Sequence, residues 1–153
     1  MEKLILWLAT AGGVGRSPVA PGTLGAAVAV PLALLLSRLG TLPFGIVGVG
    51  VIVLGVEISR RAEILLECKD APAIVIDEVA GMLLSLFLVP LSVFSVAAGF
   101  ILFRIFDIWK PVPSLEKLPG GFGVMADDVL AGLITNGILH GVNRLPGGLA
   151  GWI

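Results

Sequence analysis

Residues 79–103 read VAGMLLSLFLVPLSVFSVAAGFILF, an uncharged run with Asp77-Glu78 just before it and Arg104 just after it. How this run is divided decides the fold. Proline has no backbone N–H and breaks a helix interior, so Pro90, followed by Leu91 and Ser92, splits the run into two apolar halves joined by a tight turn. Outward from it, missing charge marks three more apolar segments: Leu24–Ser37, Leu42–Val56 and Val129–Asn143. The alternation expected of barrel strands is absent, and backbone in lipid must satisfy its own hydrogen bonds, so the segments are expected to be helices. The expected fold is all-α, a multi-span membrane helical bundle of about five short apolar helices plus a short N-terminal segment, forming a single membrane-embedded domain over residues 1–153.

Composition points the same way. Hydrophobic residues make up 57% of the chain and charged residues 14%, with a mean hydropathy of +1.06. Soluble domains are about 45–50% apolar and about 25% charged. A small soluble domain must also cover a large surface with polar groups, and 10 basic plus 11 acidic residues would leave much of it bare. The apolar segments fall short of the roughly 20 residues a spanning helix needs, so they must include their polar ends or meet a locally thinned bilayer. A net charge of -1 gives no general pull toward nucleic acid. Cys68 stands alone, so no internal disulfide is expected. Met1 to Ala11 lacks the ordered basic, apolar and cleavage regions of a signal peptide.

If the five segments alternate across the membrane, one side receives the N-terminus through Thr23 and the loops Glu57–Ile76 and Asp107–Asp128. That side carries Lys3, Arg16, Arg60, Arg61, Lys69, Lys110 and Lys117, against Arg38 and Arg144 on the other. Excess Lys and Arg marks the cytoplasmic side. The same face then receives all four of the motifs described next, a coincidence that the charge count did not require.

Four motifs could carry chemistry. Gly13-Val14-Gly15-Arg16-Ser17-Pro18-Val19-Ala20-Pro21-Gly22-Thr23 opens into an apolar helix. Free N–H groups at a helix start attract phosphate, with Ser17, Thr23 and Arg16 as further donors; composition alone favours a plain helix start capped by Thr23. Ile76-Asp77-Glu78 sets two adjacent carboxylates against an apolar helix. The helix dipole favours acids there, but ionisable groups near membrane depth are functional candidates by default, and Asp70 in the same loop could join them. In Arg104-Ile105-Phe106-Asp107-Ile108-Trp109-Lys110-Pro111, Arg104 and Asp107 share a helix face and can pair. This reads equally as a structural ion pair with an interfacial anchor or as a phosphate pocket, since arginine presents a planar fork to phosphate oxygens. Gly120-Gly121-Phe122-Gly123 reads as a flexible loop leading to Asp127-Asp128 at the start of the last helix. Capping explains one acid better than two. Neighbouring helix positions point about 100° apart, so one acid of each pair can face a shared centre. Hard oxygen ligands without Cys or His clusters select Mg²⁺ or Mn²⁺ over zinc. His140, the single histidine, reads as a packed or hydrogen-bonded residue.

These motifs, in this order from about Gly12 to His140, resemble the bacterial phosphatidylglycerophosphatase A family. The resemblance implies an all-α fold with a central helix packed among others, in the bacterial inner (cytoplasmic) membrane, multi-pass, with the active site facing the cytoplasm. It implies a Mg²⁺-dependent phosphatase that removes the terminal phosphate of phosphatidylglycerophosphate, a phospholipid substrate met in the membrane, to give phosphatidylglycerol. Carried onto this sequence, the motifs imply metal ligands at Asp77, Glu78, Asp107, Asp127 and Asp128, with Arg104, Lys110 and Asp70 in support. Ser17 and Thr23 are expected at the phosphate ahead of Arg16. A homo-oligomer is compatible with this reading.

The chemistry expected is metal-assisted hydrolysis. Arg104 and Lys110 neutralise the transferring phosphoryl group, and a carboxylate, Asp127 or Asp77, takes the proton of water. Attack by an aspartate stays open. Cys68 has no arginine six residues on, a lone histidine cannot support a phospho-histidine relay, and no Asp-x-Asp pair is present. A lipid phosphotransferase would need a larger, regular set of acids. A small transporter or ion-binding subunit would use the acids for cation passage and would place them near mid-membrane. In a structural subunit the charges would simply cap helices.

Overall fold

A computed structural model describes residues 1–115 and 118–145, so Lys117 lies outside the described residues. It is all-helical: α1 (Glu2–Ala9), a 3-10 turn (Val14–Arg16), α2 (Pro21–Leu39), α3 (Thr41–Leu66), α4 (Ile76–Leu86), α5 (Val93–Trp109) and α6 (Gly121–Asn143). The short N-terminal segment expected from sequence is α1, and the five apolar segments fall on α2 to α6, with residues 87–92 forming the turn between α4 and α5.

All the helices but α4 are longer than their apolar runs, and the expected count of about five short spans changes accordingly. Among the described residues three helices are long and apolar enough to cross a membrane: α2, α3 and α6. α3 continues ten residues past Val56, through a stretch read from sequence as loop, because Glu57 bonds Arg60 at 2.8 Å and Arg61 at 2.5 Å one turn on. α6 begins at Gly121, ahead of the acids. Its first residue backs onto the Val56 carbonyl of α3, where any Cβ would collide, so the glycines expected to form a flexible loop are a close helix–helix contact. α2 starts with Pro21, whose missing N–H costs nothing there; its cap position is Ala20, and Thr23 lies inside the first turn, so the expected Thr23 cap is not formed.

α4 is the central helix. At 11 residues it is about 16 Å long, half the hydrocarbon thickness. Bilayer thickness need not set its length, because protein encloses most of it: nine of its residues are buried, among α2, α3, α5 and α6. Backbone can end at membrane depth when protein satisfies it. Asn136 of α6 does this, its Nδ2 donating to the carbonyls of Ser85 (3.2 Å) and Phe87 (2.8 Å). His140 adds Nε2 at 3.3 Å from the Phe87 carbonyl, the hydrogen-bonded role expected for it. The turn at Pro90 closes with a reciprocal cap: Ser95 N–H donates to Ser92 Oγ (3.2 Å) and Ser92 N–H to Ser95 Oγ (2.7 Å).

α4 and α6 cross with their backbones in contact. A Cβ on Gly81 would sit 2.6 Å from the Asp128 carbonyl, and one on Gly132 2.5 Å from the Gly81 carbonyl. Small residues permit such approach between membrane helices. Gly132→Val is therefore expected to cost about 1–3 kcal/mol, read as a lower unfolding temperature in detergent. Asn136→Leu, which strips the α4 carbonyls of their donor, is expected to cost about 1–3 kcal/mol in the same measurement.

Candidate active site

Alternating helices bring their polar ends together. α2, α4 and α6 begin, and α3 and α5 end, at one end of the bundle. Gly22 of α2 abuts Glu78 of α4 and Arg104 of α5, and Gly121 of α6 abuts Val56 and Arg60 of α3. The Pro90 turn, Gly40 and Phe44 meet at the other end.

At the polar end one ligand oxygen each from Asp77, Glu78 and Asp128 lies within 4.8 Å of the others. Asp77 and Asp128 are buried, and the Glu78 side chain is 15% exposed. These acids are not caps. The cap position of α4 is Val75, and no side chain caps it. Asp127 and Asp128 lie in the second turn of α6, beyond the reach of its free N–H groups, which corrects the expectation that they start the helix. Arg104 is the cation of the group. It pairs closely with Asp107, and its Nη1 is 3.9 Å from Glu78 Oε1. Asp107 is also within electrostatic reach of Glu78 and Asp128. Four carboxylates thus share one guanidinium in a largely desolvated space.

That imbalance tests whether a metal would fit. Asp77 Oδ1, Glu78 Oε2 and Asp128 Oδ2 are buried without a hydrogen-bond partner, a costly state for a charged oxygen unless something coordinates it. Three hard oxygen donors from two helices match the preference of Mg²⁺, Ca²⁺ or Mn²⁺. The residues fit a divalent cation.

The remaining candidates flank this centre. Asp127 is buried but is not one of the three converging carboxylates; its Oδ2 lies 3.8 Å from Lys110 Nζ. Lys110 caps α5 in a left-handed conformation, φ 48°. Ser17 Oγ bonds locally, donating to the Val19 carbonyl at 3.0 Å. Thr23 lies one residue past Gly22, on the turn of α2 that touches Glu78 and Arg104. Asp70 is exposed in the α3–α4 loop, its backbone N–H donating to Glu63 at 2.8 Å, and is not among the converging carboxylates. The glycines of the first motif suit close approach, but the sequence does not name the partners of Gly22, whose bare Cα lets α2 reach Glu78 and Arg104. Asn136 was passed over, though an amide inside an apolar run is itself a signal.

Comparison with known proteins puts this all-helical bundle in the class of phosphatases. The chain belongs to the phosphatidylglycerophosphatase A family, which it matches over residues 7–143. It is 38% identical over 137 residues to phosphatidylglycerophosphatase A of Escherichia coli K12, covering 87% of this chain and 80% of that protein. To the protein of the same name in Haemophilus influenzae it is 40% identical over 131 residues, covering 82% and 80%. It is also 39% identical over 142 residues to a Bacteroides thetaiotaomicron protein provisionally named a phosphatidylinositol-3-phosphatase, covering 84% and 86%. No solved structure matches the chain at a significant level.

Proposed function

We propose that this phosphatase hydrolyses the terminal phosphate monoester of phosphatidylglycerophosphate to phosphatidylglycerol, with Mg²⁺, at the cytoplasmic face of the bacterial inner membrane. The observation that carries the reading is the convergence of Asp77, Glu78 and Asp128, with three partnerless oxygens, beside Arg104. Asp77, Glu78 and Asp128 would hold the cation, with Asp107 completing the acidic wall through Arg104. Mg²⁺ bound there would supply Lewis-acid stabilisation of phosphate charge and a more acidic water.

The rest of the chemistry falls to the chain's own groups. Arg104, held by Glu78 and Asp107, presents its fork to the phosphoryl oxygens without further ordering cost. Lys110 adds a second cation at the rim. A carboxylate, Asp127 beside Lys110 or Asp77 within the converging group, accepts the proton of the attacking water. The new P–O bond forms as the bond to the glycerol oxygen breaks, and that oxygen leaves with the electron pair and is protonated by solvent. The N–H groups at the start of α2, with Thr23 in its first turn, add donors on the side of Gly22. The cytoplasmic placement rests on the excess of Lys and Arg at this end.

The Bacteroides relative makes phosphatidylinositol 3-phosphate the second substrate to test. Purified protein in detergent micelles is given each lipid with Mg²⁺, and released phosphate is measured. Faster release from phosphatidylglycerophosphate is expected; release confined to the inositol lipid overturns the substrate assignment while keeping the chemistry.

A further inference from the structure

The headgroup chemistry leaves open where the rest of the lipid lies. Between α2 and α5 runs an open apolar groove of about 750 Å³, within the roughly 300–1,000 Å³ typical of ligand sites. Ala27, Pro31 and Leu34 form its α2 wall, and Ala97 and Ile101 are part of its α5 wall. Ala27 and Pro31 also border a second recess that reaches the loop at Arg16 and Ser17.

The groove is in register with the active site. Thr23, Ala27 and Pro31 are spaced four apart, so they share one face of α2. Ala97, Ile101 and Arg104 share one face of α5 in the same way. At 1.5 Å per residue, Thr23 lies about 6 Å above Ala27 and Arg104 about 4.5 Å above Ile101. The two helices carry the groove upward into Gly22, Glu78 and Arg104, which touch at its head. An apolar channel that opens sideways and ends within one helical turn of a phosphate site has the polarity sequence of a phospholipid, tails first and headgroup last.

We propose that the α2–α5 groove holds the acyl chains of the substrate while its terminal phosphate reaches Arg104, so that the lipid enters laterally between these two helices; this rests on the phosphatase reading above. Ala27 and Ala97 are then chain-length-determining positions, and Thr23 is a positioning residue at the junction of tail and headgroup. α3 offers equally exposed apolar residues, Val53 among them, but its outer face does not lead to the acidic centre.

The test compares phosphatidylglycerophosphate carrying dioleoyl chains with the dihexanoyl form, in mixed micelles with Mg²⁺. Both alanines are exposed, so Ala27→Trp and Ala97→Trp fill the groove from opposite walls without touching the core. Each is expected to raise KM for the dioleoyl substrate about tenfold, the equivalent of roughly two methylenes of lost contact, with kcat kept and the dihexanoyl substrate changed less than about twofold. Val53→Trp, the exposed control on α3, is expected to change neither. An equal loss on both chain lengths, or no loss on either, overturns the groove while leaving the phosphatase standing. Hydrolysis of neither form by the unmodified protein overturns the functional reading and the groove with it.

Discussion

Asp128→Asn is expected to lower phosphate release by more than about 100-fold, since losing even an outer partner of a metal site costs about 10–100-fold, and Asp128 contributes an oxygen directly to the converging three. The same change should raise the unfolding temperature of the metal-free protein. Asp77, Glu78 and Asp128 crowd buried oxygens that have no partners, and burying unpaired charge is destabilising. Replacing one carboxylate with a neutral amide removes part of that repulsion. The two readouts therefore move in opposite directions, which a structural role does not give: a mere helix-packing aspartate would lose stability and activity together. Added Mg²⁺ should raise the unfolding temperature of the unmodified protein, because a ligand that binds the folded state alone stabilises it, and should do so far less for Asp128→Asn. Measurement needs thermal unfolding with and without Mg²⁺ alongside the release assay. Asp77→Asn is expected to behave alike.

Arg104 carries the second large effect. Removing one preorganised donor from a developing charge costs about 10²–10³ in kcat, and Arg104→Ala is expected to lose at least that. It should also destabilise the fold by about 3–5 kcal/mol, because Glu78 and Asp107, with side chains 15% and 13% exposed, would lose their cation. Arg104→Lys separates the two. A lysine keeps the charge and most of the stability but cannot offer a planar fork to carboxylate and phosphate at once. Its kcat should stay about tenfold or more below the unmodified protein while its unfolding temperature recovers most of the loss. Full activity in the lysine variant would reduce Arg104 to a counter-ion.

Much of this centre was legible in the sequence, and the reasons for the rest are physical. Asp77-Glu78 and Asp127-Asp128 stand out because paired acids against apolar runs are rarely caps alone, and Arg104 and Asp107 are three apart on one helix face. The expectation that one acid of each pair faces a shared centre fails for the first pair, where Asp77 and Glu78 both converge, and which acid of the second pair joins them was not legible. That depends on helix register, and α6 begins at Gly121, so both acids fall in its second turn rather than at its start. Glycines followed by acids read as a loop because sequence does not reveal that Gly121 is pressed against the Val56 carbonyl. The extension of α3 beyond Val56 was hidden for a similar reason: Glu57, Arg60 and Arg61 look like loop polarity until their helical spacing is noticed. The length of α4 was obscured by assuming every apolar segment meets lipid. The Pro90 turn and the bonded His140 followed directly from proline chemistry and from the scarcity of partners for a lone histidine.

The central claim is that the buried carboxylates form a divalent-cation site on which hydrolysis depends. Phosphate release from phosphatidylglycerophosphate, measured against Mg²⁺ concentration for the purified protein and for Asp77→Asn and Asp128→Asn, tests it most directly. Release by the unmodified protein should vanish in chelator, return saturably with Mg²⁺, and stay near background in both variants at every concentration. Undiminished release in chelator, or variants as active as the unmodified protein, would contradict the claim.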